Sequence, residues 1–335
     1  MLRWGIAGTG FISDTLAEAI SASQGSVVRA VAGRDLARVQ AFQKRHRIAA
    51  AYPSYEALLA DESVDIVYVA LPNHLHHDAT MKAVAAGKHV LCEKSLSIDM
   101  EKTHAMLDAV AASGVFFMEG LMYLAHPVIA ALVEVLRSGC LGTLRSISAS
   151  YAADIWRVVN PQGRGALYNL GCYPVSLVQL VVQTAFGPDV FGSTRMVGTG
   201  NLSAIDGNVC EAALAMHFET GLIASIHTAE TYGMAHDFRI VGDRGCLHFV
   251  TNPWLPKAGR NVFAWRPFDG GPEERVIETS QDAFFHQVRA VEQNVAAGRT
   301  QAERPLPTWR DSQEVMAILT RWEHLVRGEG TASAG

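Results

Sequence analysis

A glycine-rich turn near the start of the chain constrains the fold more than any other feature. Residues 8–12, Gly-Thr-Gly-Phe-Ile, follow an apolar run, Leu2–Ala7, and lead into an amphipathic stretch. In such a strand–turn–helix unit, the first glycine makes the tight turn and the second lets a phosphate approach the positive end of the helix. Ser13 stands where the motif has its third glycine. The turn predicts a dinucleotide site. Its expected contacts are Gly8, Thr9, Gly10, Phe11 and Ile12.

Short β-rich runs alternate with helical stretches over the first 120 residues. The run Ile66–Ala70 is apolar throughout, as in a strand that is buried on both faces. Strands separated by helices predict an α/β, doubly wound parallel sheet, here a Rossmann domain over residues 1–122. The predicted strands are Leu2–Ala7, Val27–Ala32, Ile66–Ala70, His89–Cys92 and Val115–Met118, and the helices are Ser13–Ser23, Leu36–His46, Leu75–Ala86 and Met100–Ala112.

After Tyr123 the pattern changes to successive strands joined by short turns, such as 219–221. Such turns predict a large, open and mostly antiparallel sheet in an α/β domain over residues 123–327. A small-residue tail over 328–335 is expected to be disordered. The strands are Leu144–Ala152, Val190–Gly198, Val209–Phe218, Leu222–Thr228, Phe238–Val241 and Cys246–Val250, and the helices are Pro127–Arg137, Leu170–Phe186, Asp282–Ala297 and Trp309–Arg327.

Composition narrows the class of partner. The 335 residues carry a formal net charge of −5 and contain no basic run, so we expect no nucleic-acid partner. No apolar run approaches the ~18 residues of a membrane helix, and the first residues lack the pattern of a signal peptide. The five cysteines are odd in number and form no CxxC pair, which indicates reduced thiols in the cytoplasm. We therefore expect a cytoplasmic protein that acts on a small molecule.

The end of the second predicted strand bears on which dinucleotide binds. NAD sites usually carry an acidic residue there that binds the ribose 2′-hydroxyl, whereas this chain has Gly33-Arg34-Asp35. Arg34 could pair with a 2′-phosphate, and Arg38 lies one helical turn further on. This favours NADP, with NAD as the alternative. A second interpretation is compatible with the first: Asp35 caps the following helix and Arg34 is a solvated surface charge.

Several segments together resemble one known family. Residues 92–96, Cys-Glu-Lys-Ser-Leu, end a predicted strand and are similar to the Glu-Lys-Pro hallmark of the glucose–fructose oxidoreductase/inositol dehydrogenase (Gfo/Idh/MocA) family. The resemblance spans roughly residues 2–325, and its branch is that of dimeric dihydrodiol dehydrogenase and D-xylose dehydrogenase. The other matching segments are Leu71–His76, Met118–Tyr123, His126–Pro127, Trp156–Arg157, Gly163–Leu167, Asn169–Pro174 and Asn252–Pro256.

The resemblance implies an NAD(P)-dependent dehydrogenase or reductase that acts on a CH–OH group, with Lys94 and Tyr173 meeting at the nicotinamide. An unperturbed tyrosine has a pKa of about 10, and a nearby ammonium favours its phenolate form. We therefore interpret Tyr173 as the proton acceptor and Lys94 as its activator, although the two roles could be exchanged. Further cofactor contacts implied by the resemblance are Leu71, Asn73, His76, Glu93, Lys94, Trp156 and Arg157. The implied substrate contacts are Tyr123, Trp156, Asn169 and Trp254.

The chain departs from the family pattern at three positions. Ser95 replaces the hallmark proline, which should loosen the loop slightly because a fixed φ is lost. Leu124 stands where the branch often has arginine. Asn169 replaces an aspartate one turn before Tyr173. Because Asn169 cannot act as a carboxylate base, we assign it as a catalytic-site residue that orients a substrate hydroxyl or Lys94.

The expected substrate is an aldose or cyclic polyol oxidised at a ring hydroxyl, with a trans-dihydrodiol as the close alternative. Two other functions remain open: an NAD-dependent glycosidase of the same family and a non-catalytic NADP-binding regulator. His74, His76 and His77 lie together, but no acidic residue has ligand spacing, so no metal is expected. Trp254, Trp156 and Arg157 could equally serve packing. The resemblance implies that residues 123–327 bind substrate and form oligomers. Because family members commonly pair such open sheets, we expect a homodimer or a dimer of dimers through the uncovered face.

Overall fold

The computed structural model describes residues 1–329, except for the side chains of Met234 and Ala235. Backbone contacts divide the chain into two compact units. The first unit contains Met1–Ala125 and Asp282–Gln313, and the second contains His126–Gln281 and the residues from Glu314 onward. Of the predicted disordered tail, residues 330–335 lie outside the described residues.

The first unit opens as an alternation of strands and helices, as predicted. Its elements up to residue 120 are β1 Leu2–Ala7, α1 Phe11–Ala22, β2 Ser26–Ala32, α2 Leu36–His46, β3 Ala50–Tyr52, α3 Tyr55–Leu59, β4 Ile66–Val69, α4 His76–Ala85, β5 His89–Glu93, α5 Met100–Ser113 and β6 Phe117–Gly120. A 3-10 turn, Met122–Ala125, follows.

The six strands form one parallel sheet in the order β3-β2-β1-β4-β5-β6. The order reverses at β1, which has β2 on one side and β4 on the other. The turn after β1 therefore lies at the point where doubly wound sheets bind their ligands. The doubly wound fold predicted from the alternating pattern is confirmed. Two short elements, β3 and α3, were missed, because three and five residues carry too little periodicity to recognise.

The second unit contains the remaining strands. Its elements and the two closing helices are α6 Pro127–Arg137, β7 Leu144–Ala153, α7 Cys172–Phe186, β8 Arg195–Leu202, β9 Val209–His217, β10 Ile223–Ala229, β11 Met234–Gly242, β12 Gly245–Phe249, β13 Gly259–Pro267, β14 Glu273–Thr279, α8 Ala283–Ala296 and α9 Trp309–Arg327. The eight strands form one sheet in the order β14-β13-β12-β11-β7-β10-β9-β8. All neighbours are antiparallel except β10 and β7, so the predicted open, mostly antiparallel sheet is confirmed.

Three parts of the structure differ from the strands predicted from the sequence. The strand expected from Val190 begins at Arg195, because 188–193 form turns. The strand expected over Val115–Met118 is shifted to β6, where Cys92 pairs with Glu119. The strands β13 and β14 were missed, because β14 is an edge strand whose side chains are mostly exposed and polar, without an apolar face to recognise.

The helix α8 belongs to the first unit, whereas the boundaries 1–122 and 123–327 place it in the second. Val288 and Val291 of α8 are fully buried in the same core as Trp4, Leu16 and Ile20. Glu292 of α8 also accepts a hydrogen bond of 2.6 Å from the Ser23 hydroxyl. A boundary drawn where the strand pattern changes misses this return of the chain, because it depends on tertiary packing.

No helix among residues 1–329 has both the length and the apolar character that crossing a membrane requires.

Candidate active-site residues in the two units

The turn between β1 and α1 can be built only with glycine at position 8. Gly8 has a φ of +117°, and a Cβ there would lie 2.4 Å from the backbone oxygen of Ala70. The Gly8 N–H donates to the Ala32 carbonyl at 2.9 Å, which holds the turn against the end of β2. The predicted role of the first glycine, a tight turn, therefore has a steric basis in this chain.

Gly10 leaves the N-terminus of α1 open. It is the N-cap of α1 with no side-chain cap, and a Cβ built on it would meet nothing within 4 Å. The first N–H groups of a helix lack intrahelical partners and carry partial positive charge. In α1 the Ser13 N–H already donates to the Gly10 carbonyl, at 3.0 Å. Phe11 is 83% exposed beside them. An anion can thus approach the backbone here. Ser13 is fully buried, which shows that the helix–strand packing accommodates its hydroxymethyl group.

The charged residues that follow β2 differ in role: Asp35 caps a helix, and Arg34 and Arg38 are exposed. The Asp35 carboxylate caps α2 by accepting a hydrogen bond of 3.1 Å from the backbone N–H of Arg38. This confirms the interpretation of Asp35 as a helix cap. The side chains of Arg34 and Arg38 are exposed. Both guanidinium groups are therefore open to solvent.

His76 ties the loop after β4 to the loop after β5. It is fully buried, and its ring nitrogens lie 2.8 Å from the Ser95 carbonyl oxygen and 2.7 Å from the Leu71 carbonyl oxygen. Burial lowers the pKa of His76 to about 4, so its ring is neutral at pH 7. A neutral imidazole has one N–H and donates to one of these carbonyls. The carbonyl oxygens of Leu71 and Ser95 therefore both lie against the His76 ring, which donates to one of them. Asn73 is also buried.

Glu93 anchors the backbone of Lys94. The Tyr68 hydroxyl donates to Glu93 Oε1 at 2.5 Å, and the Lys94 backbone N–H donates to Glu93 Oε2 at 3.3 Å. Burial raises the pKa of Glu93, and the hydrogen bond from Tyr68 opposes that shift. Lys94 itself is partly exposed at the end of β5. The hallmark segment therefore presents the Lys94 side chain from a backbone whose N–H is held by the Glu93 carboxyl group.

A buried carboxyl on the neighbouring strand was missed as a site residue. Glu119 of β6 is 1% exposed and pairs in register with Cys92. Burial, together with a smaller contribution from nearby Glu93, raises its pKa to about 7. Ser312 and Leu96 favour the charged form without meeting the geometry of a hydrogen bond. The acidic residue was visible in the sequence within 118–123, but its depth in the sheet was not.

In the second unit, Asn169 and Tyr173 lie where a π-helical segment, Leu167–Gly171, passes into α7. Asn169 is 8% exposed and Tyr173 is 6% exposed. The Tyr173 ring meets the Tyr151 ring edge-on, with centroids 5.3 Å apart. π-Helical turns within helices are rare and occur frequently at functional sites. The predicted pair thus occupies an irregular stretch of the helix.

Glu230 meets Asn169 and was not identified from the sequence. Its Oε2 accepts a hydrogen bond of 2.7 Å from Asn169 Nδ2, and its side chain is largely buried. Burial raises the pKa of Glu230, and the Asn169 hydrogen bond opposes that shift. The one visible sign was an acidic residue directly after the alternating strand β10.

Trp156 and Arg157 lie side by side on an exposed loop that Glu230 also holds. The Glu230 carbonyl accepts hydrogen bonds from the N–H groups of Ile155 and Trp156, at 2.9 and 3.0 Å. The Arg157 guanidinium lies 5.1 Å from the centre of the Trp156 ring. The two side chains are exposed and available to a ligand, as their predicted roles in binding require.

Two predicted substrate contacts, Tyr123 and Trp254, are fully buried. Trp254 packs between Tyr151 and Phe238, and its indole N–H donates to the Ser150 carbonyl at 2.9 Å. Tyr123 lies in the 3-10 turn that packs on α8. Burial therefore favours packing over direct substrate contact for both rings. Among the described residues, no three His, Cys, Asp or Glu side chains group as a metal site would need.

Two family models match the chain, one in each half. Residues 2–121 match the oxidoreductase family with an NAD-binding Rossmann fold, and residues 129–248 match the GFO/IDH/MocA C-terminal domain. The trans-1,2-dihydrobenzene-1,2-diol dehydrogenase of Bos taurus is 30% identical over 262 residues, which cover 76% of each chain. The chain belongs to the Gfo/Idh/MocA family of oxidoreductases. The family inferred from the motifs, and its branch, are thereby confirmed.

Other members of the Gfo/Idh/MocA family extend this likeness. The D-xylose 1-dehydrogenase (NADP(+)) 2 of Haloferax volcanii is 38% identical over 190 residues, or 55% of this chain and 58% of the relative. The 3-ketoreductase KijD10 of Actinomadura kijaniata, solved with NADP and TDP-benzene, has 25% identity and a TM-score of 0.84. That match covers 98% of this chain and 97% of KijD10. The chain is thus an NAD(P)-binding oxidoreductase by family.

Proposed function

We propose that this Gfo/Idh/MocA member is a dehydrogenase that transfers hydride between NADP and a hydroxyl-bearing ring carbon of an aldose, polyol or trans-dihydrodiol. The observation that carries the proposal is the open N-terminus of α1, where Gly8 permits the turn and Gly10 leaves space above the first helical N–H groups. These features suit the pyrophosphate of a dinucleotide.

The preference for NADP rests on the residues beyond β2. Asp35 is engaged as the cap of α2, and Arg34 and Arg38 remain exposed. A guanidinium pairs well with a phosphate group, whereas an acidic side chain is the usual partner of the NAD ribose. The names of the relatives point the same way: the xylose enzyme is called NADP-dependent, and KijD10 was solved with NADP. NAD is the second candidate.

The proposed reaction breaks one C–H bond and one O–H bond of the substrate. A different group accepts the hydrogen from each bond. When bound, the nicotinamide takes up the hydride from the ring carbon. Tyr173 accepts the hydroxyl proton, and the Lys94 ammonium binds the substrate oxygen and favours the tyrosinate. The product is a carbonyl compound, a lactone when the oxidised carbon is C1 of an aldose. KijD10 has been studied in variants of one lysine and one tyrosine, the same two residue types.

The substrate class follows from the named relatives, which act on a xylose and on a dihydrodiol. The test is to follow the near-ultraviolet absorbance of NADPH with NADP or NAD and a panel of D-xylose, D-glucose, myo-inositol and a trans-dihydrodiol. The proposal predicts turnover that Lys94→Ala and Tyr173→Phe each abolish. Lys102→Ala, a partly exposed lysine in the first turn of α5, serves as the matched control and should retain activity.

Failure has two recognisable forms. Cofactor that stays bound through purification, without net NADPH formation, would favour the glycosidase of the same family. Tight NADP binding without turnover of any compound would favour a non-catalytic regulator. Either result would overturn the proposed dehydrogenase.

We also propose that the chain forms a homodimer, or a dimer of dimers, through the open face of the second sheet. Small side chains run in register across that face, in the row Ser148–Ser225–Ala215–Val197. Val197 is 73% exposed and Ile223 is 49% exposed on the same face, so the face offers exposed apolar side chains beside small ones, which suits self-association. Light scattering should give at least twice the 36.2 kDa of one chain. Ala215→Arg should give the monomer, and a monomeric wild type would contradict the proposal.

The five cysteines are free thiols, and this supports a cytoplasmic location.

A further inference from the structure

Glu119 is a buried carboxyl group of the first unit that the proposed chemistry does not use. It lies on β6 in register with Cys92 of β5, and its side chain is 1% exposed. Among residues 1–329, no group meets either of its carboxyl oxygens in hydrogen-bond geometry. Because burying a charge without hydrogen-bond donors is costly, this environment favours the protonated carboxyl.

A second buried carboxyl group, Glu93 of β5, differs from Glu119 in its hydrogen bonds. It accepts one from the Tyr68 hydroxyl at 2.5 Å and one from the Lys94 backbone N–H at 3.3 Å. Two buried carboxyl groups that sense each other rarely carry charge together, and a charge on Glu93 opposes a charge on Glu119. The donors therefore favour the charge on Glu93 and leave the proton on Glu119.

The proton on Glu119 can be lost near neutral pH. Burial, with a smaller contribution from Glu93, raises the pKa of Glu119 to about 7. Three groups oppose this shift because they favour the ionised form: the Ser312 hydroxyl, the Leu96 backbone and the Lys94 ammonium. Glu119 is therefore close to the midpoint of its titration at pH 7.

Two further ionisable groups in the segments around Glu119 keep their charge near pH 7. Burial raises the pKa of the Cys92 thiol, which therefore stays neutral. Asp311, next to Ser312 in the sequence, forms an ion pair of 2.6 Å with Arg304 and stays ionised. Glu119 can thus change its charge while these neighbours keep theirs.

Lys94 links Glu119 to the dinucleotide, since it is the residue that we place at the nicotinamide. The oxidised nicotinamide ring carries a positive charge, whereas the reduced ring is neutral. A positive charge that arrives beside Lys94 favours the ionised form of a nearby carboxyl group. Binding of the oxidised cofactor should therefore draw the proton from Glu119, and binding of the reduced cofactor should not.

We propose that Glu119 selects between the two redox states of the cofactor: it releases its proton to solvent when NADP binds and keeps that proton when NADPH binds. One proton is released for each NADP that binds to the protonated enzyme, and one is regained once hydride transfer has made the ring neutral. The preference for NADP over NADPH therefore strengthens as pH rises. This role rests on the proposed dehydrogenase activity, which supplies the dinucleotide at Lys94.

The test compares the dissociation constants of NADP and NADPH across a range of pH, measured by calorimetric titration. For wild type, the NADP constant divided by the NADPH constant should fall by about tenfold between about pH 5.5 and pH 8.5, because NADP no longer has to displace a proton. The 2′-phosphate also titrates, but it is common to both cofactors and cancels in the ratio. In Glu119→Gln, which mimics the protonated carboxyl, the ratio should stay constant.

Glu62→Gln is the matched control, because Glu62 is an exposed glutamate of the same unit. This variant should keep the wild-type dependence on pH. Proton release gives a second readout that needs no variant. Near pH 7, in buffers of different ionisation enthalpy, NADP binding to wild type should release a few tenths of a proton more than NADPH binding does. Glu119→Gln should show no such difference.

The outcomes separate this role from the proposed function. Parallel pH dependences of NADP and NADPH binding to wild type would overturn the role of Glu119 and leave the dehydrogenase standing. A Glu119→Gln variant that keeps the wild-type change in ratio, or that binds both cofactors equally weakly at every pH, would do the same. Failure of wild type to bind either cofactor would overturn the proposed function and this role with it. Thermal unfolding of each variant identifies loss of folding as a separate cause.

Discussion

The candidate ligand-binding groups of the first unit belong to the backbone, whereas those of the second unit belong to side chains. In the first, the phosphate turn is built from backbone, with Gly8 and Gly10 at the N-terminus of α1. In the second, the arrangement depends on buried side chains, above all the bond between Asn169 and Glu230. A backbone site tolerates few residue types and leaves a local motif. A side-chain pair can be replaced by another pair of equivalent chemistry, so it leaves no such motif in the sequence.

The largest expected effect comes from the two glycines of the turn after β1, one of which should matter for folding and the other for binding NADP. Gly8→Ala places a Cβ 2.4 Å from the Ala70 oxygen at a φ of +117°, so the free energy of unfolding should fall by about 3 kcal/mol or more. Gly10→Ala meets nothing within 4 Å and should fold normally while losing most of its affinity for NADP. Thermal unfolding and calorimetric titration with NADP measure the two effects. Equal losses of stability would contradict this division of roles.

A buried side chain of the first unit, Glu119, should also contribute to the stability of that unit, in a way that depends on pH. Its pKa of about 7 in the folded state exceeds the ordinary glutamate value of 4.5, so folding retains a proton that the unfolded chain releases. Its contribution to stability is therefore full below pH 4.5 and is lost as pH rises to 7, by about 3 kcal/mol. Denaturant unfolding across this range should show wild type losing stability relative to Glu119→Gln. Parallel pH profiles would contradict the assignment.

Two tryptophans of the second unit should respond differently. Trp254→Phe leaves the Ser150 carbonyl without its indole donor and opens space in the core, so the free energy of unfolding should fall by about 2 kcal/mol. The KM for substrate should stay unchanged. Trp156→Phe changes an exposed ring, so it should leave stability unchanged and weaken NADP binding. A raised KM in a stable Trp254→Phe variant would restore the direct substrate contact predicted from the sequence.

The smallest effect concerns the choice of dinucleotide. Arg34→Ala should weaken NADP binding by about tenfold and leave NAD binding unchanged, because only NADP carries the 2′-phosphate. Arg29→Ala, another exposed arginine of the first unit, is the control. Titration of both nucleotides into each variant measures the change. Equal weakening of NAD and NADP would show that Arg34 acts on a shared part of the dinucleotide.

The same difference between local backbone features and side-chain contacts explains which parts of the structure could be predicted from the sequence. The glycine turn, the alternation of strands and helices and the hallmark segment around Lys94 were visible because they are local in sequence. The packing of α8 on the first unit and the depth of Glu119 were not, because they arise from contacts between distant segments. Glu230 is the clearest case: it lies 61 residues from Asn169, and no spacing rule links them.

The central claim is that the chain retains hydride-transfer chemistry although Asn169 replaces the family aspartate. The most direct measurement is the initial rate of NADPH formation by wild-type protein with NADP and the four-compound panel. The account predicts turnover of at least one of the four compounds, slower with NAD than with NADP. NADP binding without NADPH formation from any of them would contradict it.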